Sequence, residues 1–198
     1  MSAARIVIAL AAATAGGLVS AAPAQEAKEA PLSRPIASVT LRNADFEAPP
    51  QAGRDCPPAW WCTMHNDVTS FKFSLATESG ARGKVLKITH VRKEPWAVAS
   101  QAVPIAEVKG KRMRVTVLVQ TQAVEGKAGP VVMIQGPGGR ALADAKTLLP
   151  RGKGWTKAVV EIDVPANADS AEIGLYMEGG GWAAFDDVQA AVVPPPGT

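Results

Sequence analysis

Five tryptophans stand against one tyrosine and four phenylalanines, so indole is the commonest aromatic surface of this chain. An indole offers a flat apolar face with an N–H at its rim. That shape stacks on the C–H face of a sugar ring while polar neighbours meet the hydroxyls. Trp60 and Trp61 lie between Cys56 and Cys62, and Trp96 follows Pro95 between two extended segments. For these three, an outward stacking platform and a plain core role stand side by side. Trp155 and Trp182 each follow a glycine at the start of a segment and read as packing residues. Polar partners for a stacked ring are offered by Arg112, Arg114 and Gln120 on one segment and by Glu172 and Tyr176 on another. All five fall on outward rows, where ordinary solvent-facing side chains are the competing reading.

Other chemistries find less support in the residues. Cys56 and Cys62 are the only cysteines, and so close a pair in an exported chain predicts a disulfide. That pairing consumes the thiols of Cys62-Thr63-Met64-His65, and His90 is the only other histidine, so a copper or zinc centre lacks ligands. Neither a Gly-x-Ser-x-Gly elbow nor a His-Glu-x-x-His pair occurs, and no carboxylate pair is singled out for acid–base work. The expectation is a non-catalytic domain.

The first residues bear on compartment. Arg5 precedes an uncharged run from Ile6 to Ala22, and Ala22-Pro23-Ala24 supplies small residues where a signal peptidase reads. The pattern predicts a signal peptide over residues 1–24, a periplasmic or secreted product, and no membrane span after cleavage. Loss of Arg5 lowers the formal net charge from +3 to +2. The densest basic cluster, Lys109, Lys111, Arg112 and Arg114, alternates with apolar residues and reads as a solvated strand face, not a nucleic-acid surface.

The elements that must position these side chains are strands. Met113, Val115, Val117 and Val119 alternate with polar residues over Lys111 to Thr121, and Ala158, Val160 and Ile162 do so over Thr156 to Val164. Ala171, Ile173, Leu175 and Met177 form another row. Further strands are predicted at Thr40–Glu47, Val85–Val91, Ala97–Val103, Val131–Gln135 and Ala183–Val193, with a helical turn possible in Ala141–Leu149. Short strands punctuated by Gly and Pro predict an all-β fold, a two-sheet antiparallel β-sandwich. It would span residues 40–193, after a leader at 25–39 and before a Pro-rich tail at 194–198.

Several segments together resemble the galactose-binding-domain-like jelly rolls, including carbohydrate-binding modules of that type. They are Asn43-Ala44-Asp45-Phe46-Glu47, Pro58-Ala59-Trp60, Gly83-Lys84-Val85-Leu86-Lys87-Ile88, Gln101 to Val103, Gly110 to Val115 and Trp182 to Val188. The resemblance implies a jelly roll that binds glycan on a sheet face. It also implies a structural calcium held by Glu47, Asp186 and Asp187; without metal, Asp186-Asp187 is simply a polar pair at a strand edge. The Cys56–Cys62 pair is not a general feature of that class. The rival expectation is an accessory domain docking another envelope protein, with an enzyme third.

Overall fold

The computed structural model describes residues 32–81, 83–92, 94–122 and 125–196. The expected signal peptide and residues 25–31 of the expected leader lie outside them. Alternation drives the architecture: each apolar row becomes one inner face of a sandwich. The strands are β1 Ala37–Val39, β2 Trp61–Met64, β3 Phe71–Ala76, β4 Val85–His90, β5 Trp96–Val103, β6 Arg112–Gln122, β7 Ala128–Gln135, β8 Ala141–Lys146, β9 Trp155–Asp163, β10 Ser170–Glu178 and β11 Trp182–Val193. A single helical turn, α1 Ile105–Val108, follows β5. One sheet runs β3-β4-β11-β6-β9 with β1 also on β11; the other runs β2-β5-β10-β7-β8. Every named pairing is antiparallel.

The inner faces meet as the periodicity predicts. Met113, Val115, Val117 and Val119 of β6 pack with Val160 and Ile162 of β9 and Phe185 of β11. Facing them are Ile173, Leu175 and Met177 of β10 with Val132 and Ile134 of β7. Burying such side chains contributes about 1.5–3 kcal/mol each before chain entropy is set against it.

Three boundaries differ from the sequence reading. The expected opening strand Thr40–Glu47 is a loop, because Asn43 (φ 47°) and Phe46 (φ 57°) turn left-handed and send the Phe46 ring fully inside. The sandwich instead opens within the expected leader, where β1 pairs with Ala190–Val192. Ala141–Leu149 holds no helical turn: the turn at Gly136–Arg140 returns the chain alongside β7, so that Val131 to Gln135 pair with Ala141 to Lys146. The disulfide between Cys56 and Cys62 is present, with Cα atoms 5.7 Å apart.

Candidate functional site

Register decides which outward side chains meet. On the outer face of the five-stranded sheet, Trp61, Ser100, Gly174, Val131 and Lys146 lie in one row across the strands. Thr63, Val98, Tyr176 and Gly129 form the next, and Ala102, Glu172, Met133 and Asp144 another. Trp96 pairs with Glu178 at the end of β5. Gly174 keeps the middle of the face low: a Cβ there would come within 2.7 Å of a Val131 methyl and 2.8 Å of a Val98 methyl. Toward β7 and β8, a cavity of about 360 Å³ is lined by Val131, Met133, Gln135, Asp144, Lys146 and Tyr176.

The aromatic groups share this face, with Trp61 one outward row from Tyr176 and two from Trp96. The Trp61 side of β2 is open, with the residue 74% exposed. Trp96 and Tyr176 have ring centroids 6.1 Å apart at a 30° tilt, and the His65 ring meets Trp96 at 5.7 Å and 66°. Tyr176 donates its hydroxyl to Glu178 Oε2 at 3.3 Å. Burial pushes the Tyr176 phenol up, and the Glu178 carboxylate adds to this, so the hydroxyl stays a donor at neutral pH. Stacking surface, a phenol donor and the carboxylates of Glu172 and Glu178 thus share one surface.

Trp60 does not belong to it. Its neighbour Trp61 points out, and Trp60 turns in, 7% exposed, against Phe46 at 5.4 Å. Its Nε1 donates to the Asn43 carbonyl at 3.0 Å, and Asn43 Nδ2 donates to the Pro58 carbonyl. Gln101, inward on β5, completes this knot: its Nε2 donates to the carbonyls of Arg42 and Ala59, and its Oε1 accepts from Arg42 N–H. The expected platform residue is a core residue because its indole N–H is needed by the opening loop.

Arg112, Arg114 and Gln120 are also elsewhere. They sit on β6, whose outward row faces away from the opposite side of the sandwich. Arg112 Nη1 donates to both Asp163 oxygens at 3.0 Å, and its Nε donates to Glu161. Arg114 donates to Glu161 Oε1 and to the carbonyl and hydroxyl of Ser33. The guanidinium groups are therefore spent within the fold. Gln120 lies between Ala184 and Trp155 on the same outer face. There Trp182 is capped by Lys87 Nζ, 3.9 Å from the ring centroid, and Trp155 donates its Nε1 to the Ser79 carbonyl, so both tryptophans are half-buried on the outer face and outside the core.

Partial burial works against a charged Glu161, yet the hydrogen bonds from Arg114 and Arg112 outweigh it and hold the carboxyl below its usual range. A depressed carboxyl contributes stability above its unfolded value and loses it as pH falls through the folded value. Glu161→Gln should therefore cost about 1–3 kcal/mol at pH 7 by urea unfolding, with the gap from the native protein closing below about pH 4.

The residues matched to a calcium site do share a place. Glu47, Asp186 and Asp187 line a cavity of about 500 Å³ together with Asp45, Leu118 and Trp155. Gly83 leaves room for the Glu47 carboxylate beside it, since a Cβ there would displace Glu47 Oε1. Burial pushes the Asp186 carboxyl up, and the charges of Asp187, Glu47 and Asp45 push the same way. The four carboxylates of this lining are the donor chemistry of a hard divalent cation. The carboxylates stand around the cavity without converging, and among the described residues no three His, Cys, Asp or Glu side chains are poised to hold an ion. Glu47 Oε1 instead accepts the Lys84 N–H at 2.6 Å.

Sequence reasoning missed His65, Glu94, Glu178 and Met133 at this face. The β2–β5 ladder brings His65 beside Trp96 and the β5–β10 register brings Glu178 there, while Glu94 precedes Trp96 by two residues and Met133 lies opposite Glu172, further along the face. Among the described residues no helix is long and apolar enough to cross a membrane.

No protein-family model matches the sequence, and no curated protein matches it. Solved structures do match in fold. The CBM22-1 xylan-binding domain of Paenibacillus barcinonensis Xyn10C superposes with a TM-score of 0.54 at 15% identity, over 84% of this chain and 99% of that one. TmCBM61, solved with beta-1,4-galactotriose, gives 0.50 at 18% identity, over 78% of this chain and 98% of that one. The enzymatically active domain of tailspike protein 4 of bacteriophage CBA120 gives 0.58 at 14% identity, where 78% of this chain spans only 21% of that protein.

Proposed function

This chain has the β-sandwich jelly-roll fold of carbohydrate-binding modules, and we propose that it is an exported, non-catalytic glycan-binding module. Its site is the outer face of the β2-β5-β10-β7-β8 sheet. The observation that carries the reading is the aromatic set of Trp61, Trp96 and Tyr176 sharing one open sheet face with Glu172 and Glu178. Indole and phenol rings take the apolar faces of successive sugar units, and the carboxylates and Tyr176 hydroxyl meet the sugar hydroxyls. The leader pattern of residues 1–24 and the Cys56–Cys62 disulfide support export. Calorimetry against xylan, β-1,4-galactan and mixed-linkage glucan fragments tests the assignment. Binding of at least one class, lost with the outward aromatic groups, is expected. No binding to any glycan, with retention of an envelope protein on the same face, would favour a docking role for the exposed Trp61 and Met133.

We propose in addition that calcium draws the carboxylates of Glu47, Asp186 and Asp187, which stand apart around the acidic cavity, together as its ligands. A bound divalent ion would offset the mutual repulsion of these carboxylates and tie the opening loop to β11, which already meet through Val188 N–H donating to the Ala44 carbonyl at 3.0 Å. Millimolar calcium should raise the melting temperature over EDTA by several degrees, the size expected of about 1 kcal/mol or more in a domain of this length. Asp186→Asn should abolish the calcium effect and raise the melting temperature in EDTA. A native melting curve indifferent to calcium would remove the metal from the account.

A further inference from the structure

His65 lies one residue beyond β2, and its backbone N–H continues the ladder by donating to the Trp96 carbonyl at 3.2 Å. Trp61, Thr63 and His65 therefore point to the same side, and the imidazole meets the Trp96 indole at 5.7 Å. Its Nδ1 stands between two partners of opposite character. Glu94 Oε2 lies at 2.8 Å and can only accept from a protonated Nδ1; Asn66 Nδ2 lies at 2.9 Å and donates to an unprotonated one. One nitrogen cannot serve both at once.

We propose that His65 is a positioning residue for the glycan platform, and that its protonation sets how firmly Trp96 is held. The inference rests on the reading of the outer sheet face given above. In the imidazolium, Nδ1 donates to the Glu94 carboxylate and the cationic ring lies within reach of the indole face, fixing Trp96 from the side opposite Tyr176. A neutral ring divides between two tautomers, and in the one that accepts from Asn66 the Glu94 contact becomes a meeting of lone pairs. Glu94 is then released and Trp96 loses its lateral support.

Charged groups from several elements surround the pair. Glu94 comes from the segment before β5, and Glu178 from β10 lies across Trp96, its own backbone N–H donating to the Lys127 carbonyl. On the His65 turn, Asp67 is taken up by the backbone N–H and hydroxyl of Thr69, with Arg92 near it. The His65 side chain is 42% exposed and that of Glu94 20%, so the pair is partly screened and acts as a modulator, not a gate.

Glycan affinity is measured by calorimetry at pH 5.5 and 8, across the range where a histidine changes charge, using the best ligand from the panel. Affinity should be about two- to fivefold tighter at pH 5.5, the size expected of a half-exposed ion pair. His65→Gln and Glu94→Gln should each flatten the profile. The Trp96 indole NMR resonance should move with pH in the native protein and stay fixed in His65→Gln, a readout that needs no ligand. A pH profile that survives in His65→Gln, or a Trp96 resonance indifferent to pH, would overturn the inference and leave the glycan reading standing. Failure to bind any glycan at either pH would overturn the glycan reading and this inference with it.

Discussion

Trp60→Ala should destabilise the domain by about 3–5 kcal/mol in urea unfolding, while Trp61→Ala next to it should change stability by no more than about 0.5 kcal/mol. The contrast follows from one pleat of backbone. Trp60 is 7% exposed against Phe46 and donates to the Asn43 carbonyl, so truncation leaves a cavity and removes the shorter of the two hydrogen bonds to that carbonyl, which Phe46 N–H reaches at 3.4 Å. Trp61, 74% exposed, gives up little packing. A domain stable by about 5–15 kcal/mol loses a large share to the first change, and Trp60→Ala should melt well below the native protein. Equal effects of the two substitutions would mean that the loop around the disulfide is placed wrongly.

The second large effect is on affinity. Trp96→Ala should weaken glycan binding by about thirtyfold or more, since truncating a central aromatic anchor costs about 2 kcal/mol or more. Trp96 lies between His65 and Tyr176, so its removal also frees both neighbours. Trp61→Ala, two outward rows away, should weaken binding severalfold. Tyr176→Phe separates stacking from hydrogen bonding: the ring stays, and the donor that now meets Glu178 is lost. The three proteins should keep the native free energy of unfolding to within about 1–2 kcal/mol and stay folded at about 25 °C, which assigns their losses to the site and not to the fold.

Much of the fold was legible in the pattern of residues. The inward rows of β6, β9, β10 and β11 follow from period-two alternation, and the turn residues bound them where the chain reverses. The site was legible only in part, because alternation tells which side of its own strand a residue takes and nothing about which sheet the strand joins. Arg112, Arg114 and Gln120 were correctly outward, yet β6 pairs with β9 and β11 while β10 pairs with β5 and β7, so they face away from Glu172 and Tyr176. Trp60 is ambiguous for a different reason: it follows a left-handed Ala59 (φ 70°) and packs on a loop shaped by left-handed Asn43 and Phe46, which pattern does not disclose. His65 and Glu94 lie 29 residues apart and meet only through the β2–β5 register. Such register is long-range pairing, the part of β structure that local sequence specifies least.

The sheet that carries recognition is the central claim, and chemical-shift mapping with the strongest-binding glycan tests it most directly. Amide and indole resonances of Trp61, Trp96, Glu172, Gly174 and Tyr176 should move together as ligand is added, while those of Arg112, Arg114, Gln120 and Trp182 stay still. Shifts confined to the β6–β9–β11 face, or spread over neither sheet, would contradict the account.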